Sequence, residues 1–228
     1  MRILVTDGMD ASAVEKLRNS GHEVVEQYYE AEELGKALRD FDAVIIRSAT
    51  KIREAQINEA KGGNLKLIIR AGVGIDNIDV KKAEEAGIVV KNTPGASSNA
   101  VAELAISLMF ACARNISIAG YTMRNEKWEK KAYSKGFELE GKTLGIIGFG
   151  RIGQMVGKKA NGLGMSVKAY DIYHNPNVVE TENLKYAELD DVLASADVLF
   201  LSTPGGDKPL VDNESLAKMK DGVVIINT

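Results

Sequence analysis

The sequence predicts an α/β protein built as two doubly wound domains in series. Short apolar runs alternate with longer amphipathic stretches, the rhythm of βα units. Those runs are continuously apolar, as parallel strands covered on both faces require. A break at Asn92-Thr93-Pro94-Gly95 divides them into two series. At roughly 150 residues per domain, the 228-residue length allows one large domain or two small ones, and the two series favour two.

Ile3-Leu4-Val5 opens the first series, followed by a helical pattern through Ala13, Val14 and Leu17 that stops near Gly21. Val24-Val25 is a weaker strand, whereas Ala43 to Ile46 and Leu65 to Ile69 are strong ones. Between these two, Ile52 and Ile57 sit on a charged helical stretch ending at Gly62-Gly63. A short helical pattern from Asp79 to Ala86 leads into the strand Ile88-Val89-Val90. Pro94 biases Thr93 away from helix, and Gly95 adds a turn signal. Ser97, Ser98 and Asn99 are good caps for a following helix, and Glu103 lies where the helix dipole favours an acid. That helix, Ala100 to Ala113, is apolar nearly all round and is expected to be buried on several sides, between domains or at a subunit interface. Cys112 within it is expected to be a packed, inert thiol. The second series runs through a strand at Leu144 to Ile147, a helix at Ile152 to Leu163 and a strand at Val167 to Tyr170. Two more strands follow at Val198 to Leu201 and Val223 to Ile226, with helical patterns at Leu189 to Leu193 and Glu214 to Met219. The expected domains are 1–95 and 96–228, with an interdomain or dimer helix near 98–119.

Composition excludes several function classes. Lys and Arg number 29 against 32 Asp and Glu, so the net charge is 29 − 32 = −3. That balance argues against a nucleic-acid surface, which needs a basic excess or stripe. One cysteine rules out an internal disulfide and favours a reducing, cytoplasmic setting. The opening residues lack a signal-peptide core, and the apolar stretch from Ala100 to Ala113 falls short of the ~20 residues that span a bilayer, so no membrane partner is expected.

Gly148-Phe149-Gly150-Arg151-Ile152-Gly153 matches G-x-G-x-x-G, follows a strand, opens a helix and lies in a βαβ unit from Thr143 to Asp171. Each glycine has a separate task. Gly148 permits the tight turn, Gly150 lets backbone approach a pyrophosphate, and Gly153 lets helix pack closely on strand. The helix N-terminus presents N–H groups and positive dipole to the phosphates. Asp171 ends the next strand, where an acid bonds the adenosine ribose, and Ile172-Tyr173 offer no arginine for a 2′-phosphate. The expected cofactor is NAD, not NADP.

A proton carrier is harder to find. His22 lies in a turn, and His174 follows Asp171 on the adenosine side. No Cys/His cluster has metal-ligand spacing, so no metal is expected, and there is no G-x-S-x-G nucleophile elbow. No catalytic residue is assigned within these residues. The final strand pattern, Gly222 to Thr228, runs out without a turn or helix, so the chain is expected to be part of a longer polypeptide with an incomplete second domain.

Taken together, these segments resemble the D-isomer-specific 2-hydroxyacid dehydrogenase family. The likeness rests on Val44 to Lys51, on Arg70-Ala71-Gly72-Val73-Gly74-Ile75-Asp76-Asn77-Ile78-Asp79, on Asn92 to Gly95, on Val101-Ala102-Glu103, on Leu139 to Gly145 leading into the glycine turn, and on Asp221 to Thr228. The resemblance implies a flavodoxin-like substrate domain, then a Rossmann NAD-binding domain, with the site in the cleft between them and a homodimeric assembly. It implies that Arg151 and Ile152 contact the pyrophosphate, that Thr203 and Pro204 line the adenine side, and that Thr228 approaches the nicotinamide. The family often has His-x-Pro where this chain has Ser202-Thr203-Pro204. The resemblance further implies that backbone N–H groups of Gly72, Val73 and Gly74 meet the substrate carboxylate. Arg47, with Ser48 beside it, and Arg70 would face the phosphate of a phosphorylated substrate, where an arginine fork suits the geometry. The family's catalytic arginine, glutamate and histidine would all follow Thr228. The implied activity is NAD-dependent hydride transfer at C2 of a small 2-hydroxy or 2-keto acid, foremost 3-phosphoglycerate in serine biosynthesis. Glyoxylate, hydroxypyruvate or lactate as substrate, and a non-catalytic NAD(H)-sensing dimer, are the alternatives.

Overall fold

The computed structural model describes residues 1–204, 206 and 209–228. The chain divides into two compact units, Met1–Ser97 and Ser98–Thr228. Among the described residues each unit is organised around a parallel five-stranded sheet.

In the first unit the strands are β1 (Arg2–Val5), β2 (Glu23–Glu26), β3 (Ala43–Ile46), β4 (Leu67–Arg70) and β5 (Val89–Asn92), in the order β2-β1-β3-β4-β5. This is the flavodoxin-like order, whose switch point lies between β1 and β3. The helices are α1 (Ala11–Asn19), α2 (Ala31–Ala37), α3 (Glu54–Ala60) and α4 (Val80–Glu85). The pleat explains the continuous apolar runs. Leu4, Val44 and Ile46 point to a core shared with Leu34, Leu38 and Ile57, while Ile3, Val5, Ala43 and Ile45 point to the other face, with Val14. Because successive side chains alternate, a strand covered on both faces must be apolar at every position. Asp10 caps α1 by accepting from Ser12 N at 2.9 Å, and Gly21, at φ +84°, turns the chain into β2.

The sequence reading differs from the structure here in two places. α2 has no apolar periodicity long enough to announce it and is held by burial of Leu34 and Leu38. Ile52 is not helical but forms an isolated parallel bridge with Ile78, and α3 starts only after Arg53 N donates to Gln56 Oε1 at 3.0 Å.

In the second unit the strands are β6 (Thr143–Ile147), β7 (Ser166–Tyr170), β8 (Leu184–Tyr186), β9 (Val198–Leu201) and β10 (Val224–Asn227), ordered β10-β9-β6-β7-β8. Counted within the unit from the β8 side this is 3-2-1-4-5, the Rossmann order, with its switch point between β6 and β9. The helices are α5 (Ser98–Ala113), α6 (Ile116–Arg124), α7 (Arg151–Gly162), α8 (Leu189–Ser195) and α9 (Asn213–Lys218). β8 escapes sequence reading because Leu184-Lys185-Tyr186 is too short to show a pattern. Asp197 ties the amino edge together: it accepts from Thr143 N at 2.8 Å and Lys220 Nζ at 2.9 Å. Burial raises the Asp197 carboxyl, but the Thr143 N–H and Lys220 outweigh it and hold the group below its ordinary value.

The apolar helix needs correction on three points. It does not run through 98–119: Asn115, at φ +54°, breaks it, and α5 and α6 meet at a 70° bend. Nor is it buried on several sides within the chain. Ala102, Ala105, Met109 and Ala113 enter the core, but Leu104 and Phe110 remain exposed. Cys112 is exposed rather than packed, because it lies off the covered face. No single helix among the described residues is long and apolar enough to cross a membrane.

Candidate functional site

Two sets of residues gather at the carboxyl ends of the strands, one in each unit, where open α/β sheets bind ligands. In the second unit the turn from β6 to α7 carries the glycine motif. Gly148 has φ +94°, and a Cβ there would meet Ser202 O at 2.6 Å and Thr203 Cγ2 at 2.9 Å, so the turn seats directly on the segment after β9. A Cβ on Gly153 would overlap Gly148 O, which is the close helix-to-strand approach the motif predicts. Gly150 behaves differently: a Cβ there would meet no atom of the described residues within 4 Å. The space over Gly150 is open, its side of α7 carries no side-chain cap, and Arg151 stands exposed in the first turn. A helix N-terminus with uncapped N–H groups beside open space suits a pyrophosphate.

Asp171 follows β7 and closes over the same turn. Its Oδ2 accepts from Phe149 N at 2.7 Å and its Oδ1 from Tyr173 N at 3.0 Å. Phe149 itself is buried, edge-on to Tyr186 at 5.4 Å. An ionised carboxylate has about four acceptor sites, so capping the loop leaves capacity for ribose hydroxyls. Thr203 and Pro204 are exposed after β9 and line a cleft of about 260 Å³ with Leu210, Val211 and Asn227. Thr228 is exposed just past β10. These features fit a dinucleotide: a cradle open where phosphate must enter and closed by backbone elsewhere.

In the first unit, Arg47 and Ser48 follow β3 at the switch point and are both exposed. Sequence reasoning missed what holds them. Asp7, just past β1, accepts from Arg47 N at 2.6 Å and Thr50 N at 3.1 Å through Oδ2, and from Thr50 Oγ1 at 2.5 Å through Oδ1. Asn77 is buried, and its Nδ2 donates to the carbonyls of Arg47 and Thr50, at 2.7 Å each. Burial pushes the Asp7 carboxyl up, but the Thr50 hydroxyl and the N–H groups of Arg47 and Thr50 outweigh it, so the group titrates below its ordinary value. The available signal was topological, since the residues after β1 and β3 must meet at the switch point.

Arg70 ends β4, and its Nε is buried without a hydrogen-bond partner among the described residues. Its guanidinium lies so close over Gly72 that a Cβ there would overlap Nη1. The Gly72–Gly74 loop is held by Thr93 N donating to Gly72 O at 2.9 Å and Asn92 Nδ2 donating to Val73 O at 2.6 Å, leaving Val73 and Gly74 exposed. Neither histidine joins these groups. His174 lies flat on Tyr186 at 4.0 Å, and His22 precedes β2 at the amino edge of its sheet, opposite to Arg47. Among the described residues no group of three His, Cys, Asp or Glu side chains could hold a metal ion.

Comparison with known proteins agrees with this architecture. Residues 106–228 match the model of the D-isomer specific 2-hydroxyacid dehydrogenase NAD binding domain. A hydroxypyruvate reductase of Thermotoga maritima is 49% identical over 231 residues, covering all of this chain and 73% of that protein. A D-3-phosphoglycerate dehydrogenase of Archaeoglobus fulgidus is 40% identical over 230 residues, again covering all of this chain but only 43% of that protein. Among solved structures, NAD⁺-bound 3-phosphoglycerate dehydrogenase of Entamoeba histolytica superposes with a TM-score of 0.76 at 34% identity, covering all of this chain and 71% of that one.

Proposed function

The chain belongs to the D-isomer specific 2-hydroxyacid dehydrogenase family, and we propose that it acts on a phosphorylated three-carbon substrate, interconverting 3-phosphoglycerate and its 2-keto acid. NAD is the cofactor, and it supplies the hydride acceptor and donor for C2. Gly150, Arg151 and Ile152 would hold its pyrophosphate, with Asp171 at the ribose, Thr203 and Pro204 on the adenine side, and Thr228 toward the nicotinamide. Gly148 and Gly153 shape the turn. The N–H groups of Val73 and Gly74 would bind the substrate carboxylate; contrary to expectation Gly72 N is not free for it, because it donates to Arg70 O at 2.8 Å.

The observation that carries the phosphorylated substrate is Arg70. A guanidinium whose Nε is buried and unpartnered, at the carboxyl end of a strand and one strand from Arg47, suits a dianion better than a hydroxyl. The second reading, reduction of unphosphorylated hydroxypyruvate, is favoured by the 49% identity to a protein of that name. The two differ by one phosphate. In the intact enzyme Arg70→Ala should reduce kcat/KM on 3-phosphohydroxypyruvate by about 100-fold, near the 3 kcal/mol of a lost charged hydrogen bond, and on hydroxypyruvate much less. Equal losses on the two substrates would remove the phosphate reading.

The exposed apolar surface supports a homodimer. Leu104 and Phe110 on α5, and Ile116, Tyr121 and Met123 on α6, are all exposed, with Trp128 beyond them 73% exposed. A monomer rarely leaves so many large apolar side chains of neighbouring helices in water, and a second copy through a self-complementary two-fold contact is the simplest cover. Sedimentation should show a dimer at micromolar concentration that Ile116→Asp with Tyr121→Asp converts to monomer. A stable monomer of the unaltered protein would discard this assembly.

A further inference from the structure

We propose that Asp7 and Asn77 are positioning residues that clamp the Arg47–Thr50 turn, one by its N–H groups and one by its carbonyls, and so set the place of Arg47 and Ser48 toward the substrate. The proposal rests on the reading of Arg47 and Ser48 as substrate contacts. Its ground is the hydrogen bonds to the two ends of the turn. Asp7 Oδ2 draws in the N–H groups of Arg47 and Thr50, and Asn77 Nδ2 draws in the carbonyls of the same two residues. Both backbone polar groups at each end of the four-residue turn are thereby held by side chains from elsewhere in the chain. Ser48 and Ala49 between them stay exposed.

The two clamping side chains come from informative places. Asp7 follows β1, so it reaches β3 across the switch point of the sheet, where ligand crevices form. Asn77 lies three residues past Gly74, and its backbone carbonyl also accepts from Ile52 N at 2.9 Å. Asn77 therefore joins the Arg47 turn to the same stretch that carries the Gly72–Gly74 loop. If one loop holds the far end of the substrate and the other its carboxylate, the Asn77 amide fixes their separation. Thr50 orients the other half of the clamp: its buried hydroxyl donates to Asp7 Oδ1 and lies 2.8 Å from Thr6 Oγ1. A turn tied at both ends relaxes less toward a misplaced ligand, which is how preorganisation improves binding.

Thr50→Val removes the hydroxyl with little change in volume, and Thr50→Ser restores it. Each is made in the intact enzyme, beside Asn77→Ala and Arg47→Ala, and assayed well below its melting temperature with 3-phosphohydroxypyruvate and with hydroxypyruvate. Thr50→Val and Asn77→Ala should raise KM for the keto acid about tenfold or more while kcat and the NADH dissociation constant, read by fluorescence, stay within about twofold. Thr50→Ser should return KM to within about threefold of the parent. A purely structural role would lower melting temperature and active fraction without this split. If Arg47→Ala raises KM but Thr50→Val and Asn77→Ala do not, the clamp is overturned alone. If Arg47→Ala leaves KM for 3-phosphohydroxypyruvate unchanged, the reading of the turn as a substrate contact falls, and the clamp falls with it. Failure of Thr50→Ser to fold would also overturn the proposal, because the turn would then serve the fold.

Discussion

Gly150→Val should leave the melting temperature nearly unchanged and weaken NADH binding by at least about 100-fold, close to 3 kcal/mol. The two halves of this outcome have separate causes. Gly150 sits in extended backbone, φ −73° and ψ −157°, which any residue can adopt, and a Cβ there would meet no atom of the described residues within 4 Å. The folded chain alone therefore tolerates a side chain. The space that valine would fill is the opening beside the uncapped first turn of α7, where the pyrophosphate must come close to backbone. Gly148→Val should behave oppositely. Its φ of +94° is strained for an L residue, and its Cβ would lie 2.6 Å from Ser202 O, so that change should lower stability by more than ~2 kcal/mol. Fluorescence titration with NADH and thermal melts of both variants separate the effects. Unimpaired NADH binding by Gly150→Val would mean that the phosphates do not lie on this turn.

Asp171→Ala should cost NADH about 10- to 100-fold in affinity, the ~1.5–3 kcal/mol of one hydrogen bond to a charged acceptor, while NADPH changes little. The preference for NADH should therefore shrink. The mutation has a second effect that must be read apart from the first. Asp171 also accepts from Phe149 N and Tyr173 N, so its loss leaves those donors without their partner and should lower the melting temperature as well. Asp171→Asn keeps an acceptor for the loop but removes the charge that repels a 2′-phosphate. It should recover part of the stability and still lose discrimination. Equal affinity of the unaltered protein for NADPH and NADH would refute this role for Asp171.

The apolar face of α5 shows where sequence reading meets its limit. Its composition alone announces a helix that needs cover, but the break at Asn115 and the exposure of Cys112 depend on which face meets α7 and β10. Composition specifies how much apolar surface must be hidden. It does not specify what hides it, because a nearly uniform helix has no preferred face until its neighbours are in place.

Both doubly wound sheets, apart from the edge strand β8, and the glycine turn are legible from the sequence itself. Their signals are local: a continuous apolar run for each buried strand, and glycines spaced for a strand-turn-helix approach. Only the tertiary structure decides that Asp7 and Asn77 hold the Arg47–Thr50 turn, and that Arg70 lies on Gly72 with its Nε unpartnered. Asp7 and Arg47 stand 40 residues apart, and Asn77 and Arg47 stand 30 apart. Nothing in a run of residues marks such partners, because each bond exists only once β1, β3 and β4 lie side by side and bring the ends of their loops within hydrogen-bonding reach.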